Sequence, residues 1–376
     1  MVNNNQSLKN IFMSEKLLKE NYNKKYISAL DCYRGIAAIC VTTIHVNINS
    51  IFLNSGFSTG LFVQLFFVLS GYVLYINYYN NLKKFRDLKN FLKKRILRLY
   101  PLHLFFLIIF LLVEIAKFIA MHKFNIVPNR PVFEENNFYT LIYNLILVQN
   151  FIGSPGSFNG PSWSISAEFF TYIIFALFLI YFREKLEYIL LAYILIFITL
   201  FSKYFNYDWG IHAWLSCMYC FSIGVISAKV FLIKKLNFNP YVINILFLLI
   251  FFLTFFFIEN KKLGYYIPFL FGILFYFTSL LNPSELIYRI IFNKFLIFLG
   301  KISYSIYLCH AFVYWSLTQF MRFILNWPIE NSSTGVGLKF SLVEGSIFII
   351  IFIAITILVA NFTYLFVEKK FYKKLK

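Results

Sequence analysis

Apolar runs long enough to cross a bilayer recur along the whole chain, near 30–53, 60–80, 101–121, 163–182, 187–205, 211–233, 241–258, 264–281, 302–326 and 341–367. Each approaches the roughly 20 residues that a helix needs to traverse the hydrocarbon layer. With 60% of residues hydrophobic and only 14% charged, a water-soluble fold has too little polar surface to cover them. The solvent of this chain is therefore largely lipid. Backbone groups in lipid must be satisfied within each segment, and the runs are twice the length of the alternating stretches of a membrane barrel. The expected architecture is an all-α integral membrane protein, a bundle of about ten transmembrane helices. The run 139–151 is too short to cross unaided and leads into a Gly- and Ser-containing stretch, which suits a re-entrant or interfacial piece.

The formal net charge of +19 does not indicate nucleic acid, because the basic residues are scattered in short gaps between apolar runs. Topology accounts for them: about 26 Lys and Arg fall in segments on the side of the N-terminus and about 7 on the other side, as the positive-inside rule requires. Both termini are thus expected in the cytoplasm, on a multi-pass membrane protein. The densest basic segment, Leu82 to Leu99, interleaves eight Lys and Arg with Leu82, Phe85, Leu88, Leu92 and Ile96. It reads as an amphipathic helix lying on the cytoplasmic face and touching membrane lipids. Residues 1–27 are polar, lack the apolar core of a signal peptide, and are expected to form a cytoplasmic tail. Residues 28–376 then make one transmembrane domain. The cysteines (Cys32, Cys40, Cys217, Cys220, Cys309) all fall in expected spans, where thiols pack as small apolar groups. Cys217 and Cys220 have no second pair with which to hold a metal, so no metal is expected.

Chemistry is sought among the few polar groups inside spans, because such groups are costly in lipid. Ser28-Ala29-Leu30-Asp31 has the form of a capping box, so Asp31 is either a helix cap or a functional carboxylate. Arg34 and His45 are eleven residues apart, about three turns and roughly 16 Å along one helix face. Arg34 can snorkel to headgroups, and a buried His can be a satisfied packing residue. Imidazole is also the side chain best suited to general base catalysis near neutral pH. Glu114 and Lys117, spaced i, i+3, are expected to pair with each other.

The segment Leu30-Asp31-Cys32-Tyr33-Arg34-Gly35-Ile36-Ala37-Ala38 followed by His45 resembles the opening motif of the acyltransferase-3 family of bacterial polytopic membrane O-acyltransferases. Further segments resemble that family in order: Leu65-Phe66-Phe67-Val68-Leu69-Ser70-Gly71, Lys94-Arg95-Ile96-Leu97-Arg98-Leu99-Tyr100-Pro101, Trp163-Ser164-Ile165-Ser166-Ala167-Glu168, and Gly300-Lys301-Ile302-Ser303-Tyr304-Ser305-Ile306-Tyr307-Leu308-Cys309-His310. Tyr364 to Phe371 resembles the family's closing motif. The chain departs from the pattern at Gln64, Cys32, Cys309 and Lys370, none of which removes Arg34, His45 or Glu168.

The resemblance implies transfer of an acyl group, most commonly acetyl, from cytoplasmic acyl-CoA to a hydroxyl of a glycan or lipid-linked sugar, with no permanently bound cofactor. Lipopolysaccharide, capsule and other surface polysaccharides are all candidate acceptors. It implies a catalytic set of Arg34, His45 and Glu168, with His45 as general base or transient acyl carrier, since imidazole can do either. Lys94, Arg95 and Arg98 are expected to hold donor phosphates, which Arg binds in bidentate fashion. Asp31, Trp163, Ser166, Tyr304 and His310 are expected in support. A transporter or flippase of lipid-linked sugars is the alternative, since it too needs many spans, buried charges and a basic rim. The oligomeric state is not encoded in any of these motifs.

Overall fold

A computed structural model describes residues 29–43, 46, 48, 50–51, 61–126, 128, 130–201, 210–233, 239–257, 263–332 and 335–373. His45 lies outside the described residues, as do Ser28 and the expected N-terminal tail. The helices are α1 (29–43), α2 (Leu61–Tyr78), α3 (Phe85–Phe124), α4 (Phe138–Leu145), α5 (Trp163–Tyr181), α6 (Leu186–Phe201) and α7 (Ile211–Ile233). They continue with α8 (Pro240–Phe257), α9 (Ile267–Leu280), α10 (Leu286–Ile291), α11 (Lys294–Lys301), α12 (Ser303–Phe323), α13 (Leu342–Thr363) and α14 (Lys369–Lys373).

Every apolar run of spanning length carries a helix, but not every helix is long enough to cross. Six have the length and composition of a span, and a seventh arises if α11 and α12, bent by 69° at Ile302, count as one broken span. The chain is a multi-pass membrane protein with six or seven candidate spans among its described residues. Expecting about ten overstates what the helices show: α6 has 16 residues, α9 has 14 and the described part of α1 ends at residue 43. An apolar run records composition, whereas a span requires the helix to continue through it. A short antiparallel hairpin, β1 (Ile329–Ser332) with β2 (Gly335–Leu338), in which Ile329 pairs Leu338, also interrupts the otherwise helical chain.

The basic segment is a second correction. It is no separate surface helix: α3 runs 40 residues without a break, about 60 Å, and carries the basic turns directly into an apolar shaft. The Asp87 carboxylate starts it by accepting from the backbone N–H of Lys83 and of Lys84, both at 2.9 Å, the arrangement of a helix-capping box. Nothing then stops the helix, because Pro101 costs it one backbone bond without ending it. Within its first turns Leu88 and Phe91 are buried while Lys83, Lys84, Arg86 and Lys89 are exposed, yet Phe85 is 68% exposed.

Close backbone contacts set the frame around the polar centre. In α2 and α7 a Cβ on Gly71 would stand 2.0 Å from the Phe221 carbonyl oxygen, and one on Gly224 would stand 1.9 Å from that of Val68. Small residues let these helices touch backbone to backbone, the usual means of tight packing in lipid. Likewise a Cβ on Gly300 would meet the Asp31 carbonyl oxygen at 1.9 Å. The end of α11 therefore rests on the first turn of α1, and the bend at Ile302 sends α12 away along a different line. Arg183 fastens the far end of α2 by donating to the Tyr79 and Leu82 carbonyls.

Candidate active site

The first turn of α1 brings Asp31 and Arg34 onto one side, and their side chains form an ion pair at 2.8 Å. Asp31 therefore meets Arg34 rather than solvent alone, and both stay largely buried. Arg34 faces a cavity of about 400 Å³ between α1, α2 and α3, lined also by Asn77, Tyr78, Lys94, Arg95 and Arg98. Four cations line this space and none of its lining residues is acidic. The excess positive charge suits a polyanion, and Arg in particular suits phosphate oxygens.

Arg95 is held by aromatic faces. Its guanidinium carbon lies 5.5 Å from the Tyr78 ring, 5.7 Å from Phe91 and 5.9 Å from Tyr172, and it donates to the Tyr78 hydroxyl at 3.2 Å. Cation–π contact keeps such a charge in place where water is scarce. Spacing of three places Arg98 one turn further along the same face of α3.

A smaller cavity of about 70 Å³ adjoins, and Arg34 and Arg98 line both. Its other polar walls are Ser70 from α2, Ser164, Glu168 and Tyr172 from α5, and Ser303, Tyr304 and Tyr307 from α12. The Glu168 carboxylate accepts short hydrogen bonds from the Ser70 and Tyr172 hydroxyls. Glu168 is thus pinned by two donors on different helices, in a cavity that Arg34 and Arg98 also line. Tyr307 donates to the Pro161 carbonyl at 2.9 Å and shares a 2.7 Å contact with the Ser164 hydroxyl. Tyr304 donates to the Leu99 carbonyl at 2.5 Å, joining the start of α12 to α3 just ahead of Pro101. A carboxylate, six hydroxyls and two guanidinium groups therefore converge at the end of a cationic cavity. This equipment can orient a hydroxyl or an imidazole and stabilise negative charge as it develops on a carbonyl oxygen.

The remaining residues singled out from sequence lie elsewhere. Trp163 packs edge-on to Phe67 at 6.2 Å between ring centres and Ser166 donates to the Leu147 carbonyl at 2.6 Å, so both brace the start of α5 without lining either cavity. His310 is fully buried on α12 with Nδ1 3.3 Å from the Ile306 carbonyl oxygen. Lys117 and Glu114 pair at 2.7 Å as their spacing requires. Ser70 was not singled out from sequence, although a hydroxyl in the middle of an apolar helix beside Gly71 is the available signal. Another is Glu368, 5% exposed in the π-helical turn Tyr364–Glu368, which accepts from the Ser305 hydroxyl at 2.9 Å. A π-helical turn inside a span is a frequent mark of function. No cluster of His, Cys, Asp and Glu able to hold a metal occurs among the described residues.

A family model described as an acyltransferase domain matches residues 27–365, which include every cavity wall above and every motif but most of the closing one, Tyr364 to Phe371. The chain belongs to the acyltransferase-3 family. Among its relatives is the O-acetyltransferase OatA of Staphylococcus aureus, 27% identical over 323 residues that make up 78% of this chain and 52% of that protein. The acyltransferase MdmB of Streptomyces mycarofaciens is 29% identical over 163 residues, 40% of this chain and 38% of that one. The chain spans about half the length of the OatA proteins it matches. No solved structure matches it.

Proposed function

We propose that this membrane acyltransferase moves an acetyl group from acyl-CoA to a sugar hydroxyl of a surface or lipid-linked glycan. The observation that carries the reading is the joining of a cation-lined cavity to the Glu168 cavity through two shared residues, Arg34 and Arg98. Coenzyme A is the polyanionic end of the donor; Lys94, Arg95 and Arg98 hold its phosphates, and Arg34 stands where the thioester end passes into the smaller cavity. The orientation follows from the charge bias of the loops, which puts this basic end in the cytoplasm. The names of the staphylococcal relatives, as O-acetyltransferases, favour acetyl as the group moved.

In the transfer the sugar oxygen attacks the thioester carbonyl, its proton passes to the His45 imidazole, and the carbon–sulfur bond breaks. Coenzyme A leaves as thiolate and recovers the proton. A variant path in which the acyl group rests on the imidazole divides the same changes into two steps. His45 is assigned by its position eleven residues beyond Arg34 and by the family motif. Glu168 holds the imidazole or the attacking hydroxyl, and the guanidinium groups oppose the charge that grows on the carbonyl oxygen.

The test is radiolabelled acetyl-CoA supplied to the full chain in lipid nanodiscs with candidate glycans. Label is expected in an alkali-labile ester on the sugar, and His45→Ala is expected to lower transfer by about a thousandfold, within the range for a lost general base. Full transfer by properly inserted His45→Ala protein would remove His45 from the mechanism. Absence of any donor-dependent labelling across the glycans would remove the acyl transfer reading itself.

A further inference from the structure

A third cavity, of about 600 Å³, lies at the other end of α3 and α12, beside the hairpin. It is the largest of the three and falls in the usual size range of small-molecule sites. On α3, Glu114 is sixteen residues beyond Arg98, about 24 Å further along the axis. The two large cavities thus lie far apart on one helix.

Its charges are used against one another. Glu114, 3% exposed, takes Lys117 at 2.7 Å and the Asn136 side-chain amide at 2.7 Å, while Arg130 pairs with Glu135 at 3.0 Å. Arg322 also lines the space, with its guanidinium carbon 4.9 Å from the Phe323 ring, and the other polar groups of the lining are neutral. The Gln319 amide and the Trp315 indole N–H line the space, and neither has a hydrogen-bond partner among the described residues. The Trp315 ring, 6.3 Å from Phe312 between ring centres and at 25° to it, lines the space from α12. Flat aromatic surface beside neutral amide donors matches a pyranose ring, which offers an apolar C–H face and a rim of hydroxyls.

The cavity and the Glu168 centre share α12 as a wall. Tyr307, His310 and Tyr314 follow the i, i+3, i+7 spacing that shares one helix face. Tyr307 lines the Glu168 cavity, Tyr314 lines the large one, and fully buried His310 lies between them. The separation along α12 is two turns, about 10 Å. Phe110 and Phe312, with ring centres 6.2 Å apart, and Phe158 pack together, and Phe110 and Phe158 line the large cavity.

We infer that this cavity is the binding site for an uncharged stretch of the acceptor saccharide, with Trp315 as the stacking platform and Gln319 as hydrogen-bonding partner. The inference rests on the acyl transfer reading for its meaning, but its test does not depend on turnover. Thr318 lines the cavity and donates to the Trp315 carbonyl of its own helix, so Thr318→Cys places a reporter thiol there. The native cysteines are buried, apart from half-buried Cys40, and the unsubstituted chain supplies the labelling background. Maleimide labelling of Thr318→Cys in nanodiscs is measured with neutral glucose or N-acetylhexosamine tetrasaccharides, and with adenosine triphosphate as a polyanion.

At least one tetrasaccharide is expected to slow labelling severalfold while the triphosphate does not. Adding Trp315→Ala is expected to raise the half-protecting concentration at least tenfold, and Trp315→Phe to restore most of the protection. Failure of both sugars to protect, protection by the triphosphate alone, or protection indifferent to Trp315→Ala would overturn the inference. Thioester hydrolysis by the unsubstituted chain in the same nanodiscs without sugar tests the acyl transfer reading separately.

Discussion

At the basic end of α3, Lys94, Arg95 and Arg98 join Arg34 around a cavity that has no acidic lining residue, whereas at the far end Lys117 and Arg130 are each matched by a carboxylate. The same helix therefore carries charge for two different purposes. Four cations around one cavity, of which Arg34 is paired with Asp31, hold an electrostatic potential for a charged ligand. At the far end the ion pairs fix the shape of the cavity, Arg322 sits against the Phe323 ring, and aromatic and amide groups supply the rest of the polar lining. On the proposed reading the first end receives the donor, the second receives the acceptor, and Glu168 stands where their reacting groups meet.

The largest effect is expected where the two routes converge. Glu168→Gln keeps the size of the side chain but removes its charge, and transfer is expected to fall about a hundredfold or more, mostly in kcat, as for loss of a catalytic acid–base partner. Steady-state kinetics in nanodiscs check this, and a change confined to either KM would return Glu168 to a structural role. Next in size is Arg98→Gln, expected to raise the KM for acyl-CoA about tenfold, the scale of one lost charge-assisted hydrogen bond. Raising ionic strength from about 0.05 to 0.5 M is expected to raise the donor KM severalfold and leave the acceptor KM nearly constant, because screening acts on the open cationic end. Equal salt dependence for both substrates would erase the contrast between the ends. The smallest effect belongs to Lys117→Met. Glu114 keeps its bonds from Asn136 and from the Phe133 backbone N–H, so the donor KM is expected to change less than twofold, and thermal unfolding of the solubilised protein reads the structural cost.

Much of this plan is legible in the residues themselves. The apolar runs locate the helices, and the i, i+3 spacing of Glu114 and Lys117 predicts the pair that forms. Arg34, Arg95, Arg98 and Glu168 stand out because ionised groups in apolar surroundings are costly, and the structure places all four around two adjoining cavities. Less legible is anything that depends on how far a helix continues. The basic segment has the pattern of a surface helix, but with no stop signal at Pro101 it flows into the shaft of α3. Hydroxyls such as Ser70 are inconspicuous because they satisfy themselves on their own helix as readily as on a neighbour. The far cavity is hidden for another reason. Trp315 and Gln319 come from α12, Glu114 from α3 and Leu338 from the hairpin, and no short motif joins them. Trp163, Ser166 and His310 show the reverse: each belongs to a motif with a catalytic look, and each packs away from the two adjoining cavities.

The division of labour between the two ends is tested most directly by measuring donor and acceptor KM side by side in Arg98→Gln and Trp315→Ala protein. The account predicts a crossed result, with the donor KM raised about tenfold in the first and the acceptor KM raised about tenfold in the second, the scale of one lost ligand contact in each case. If both substitutions raise the same KM, or each raises the other's, the two cavities do not divide donor from acceptor and the account fails.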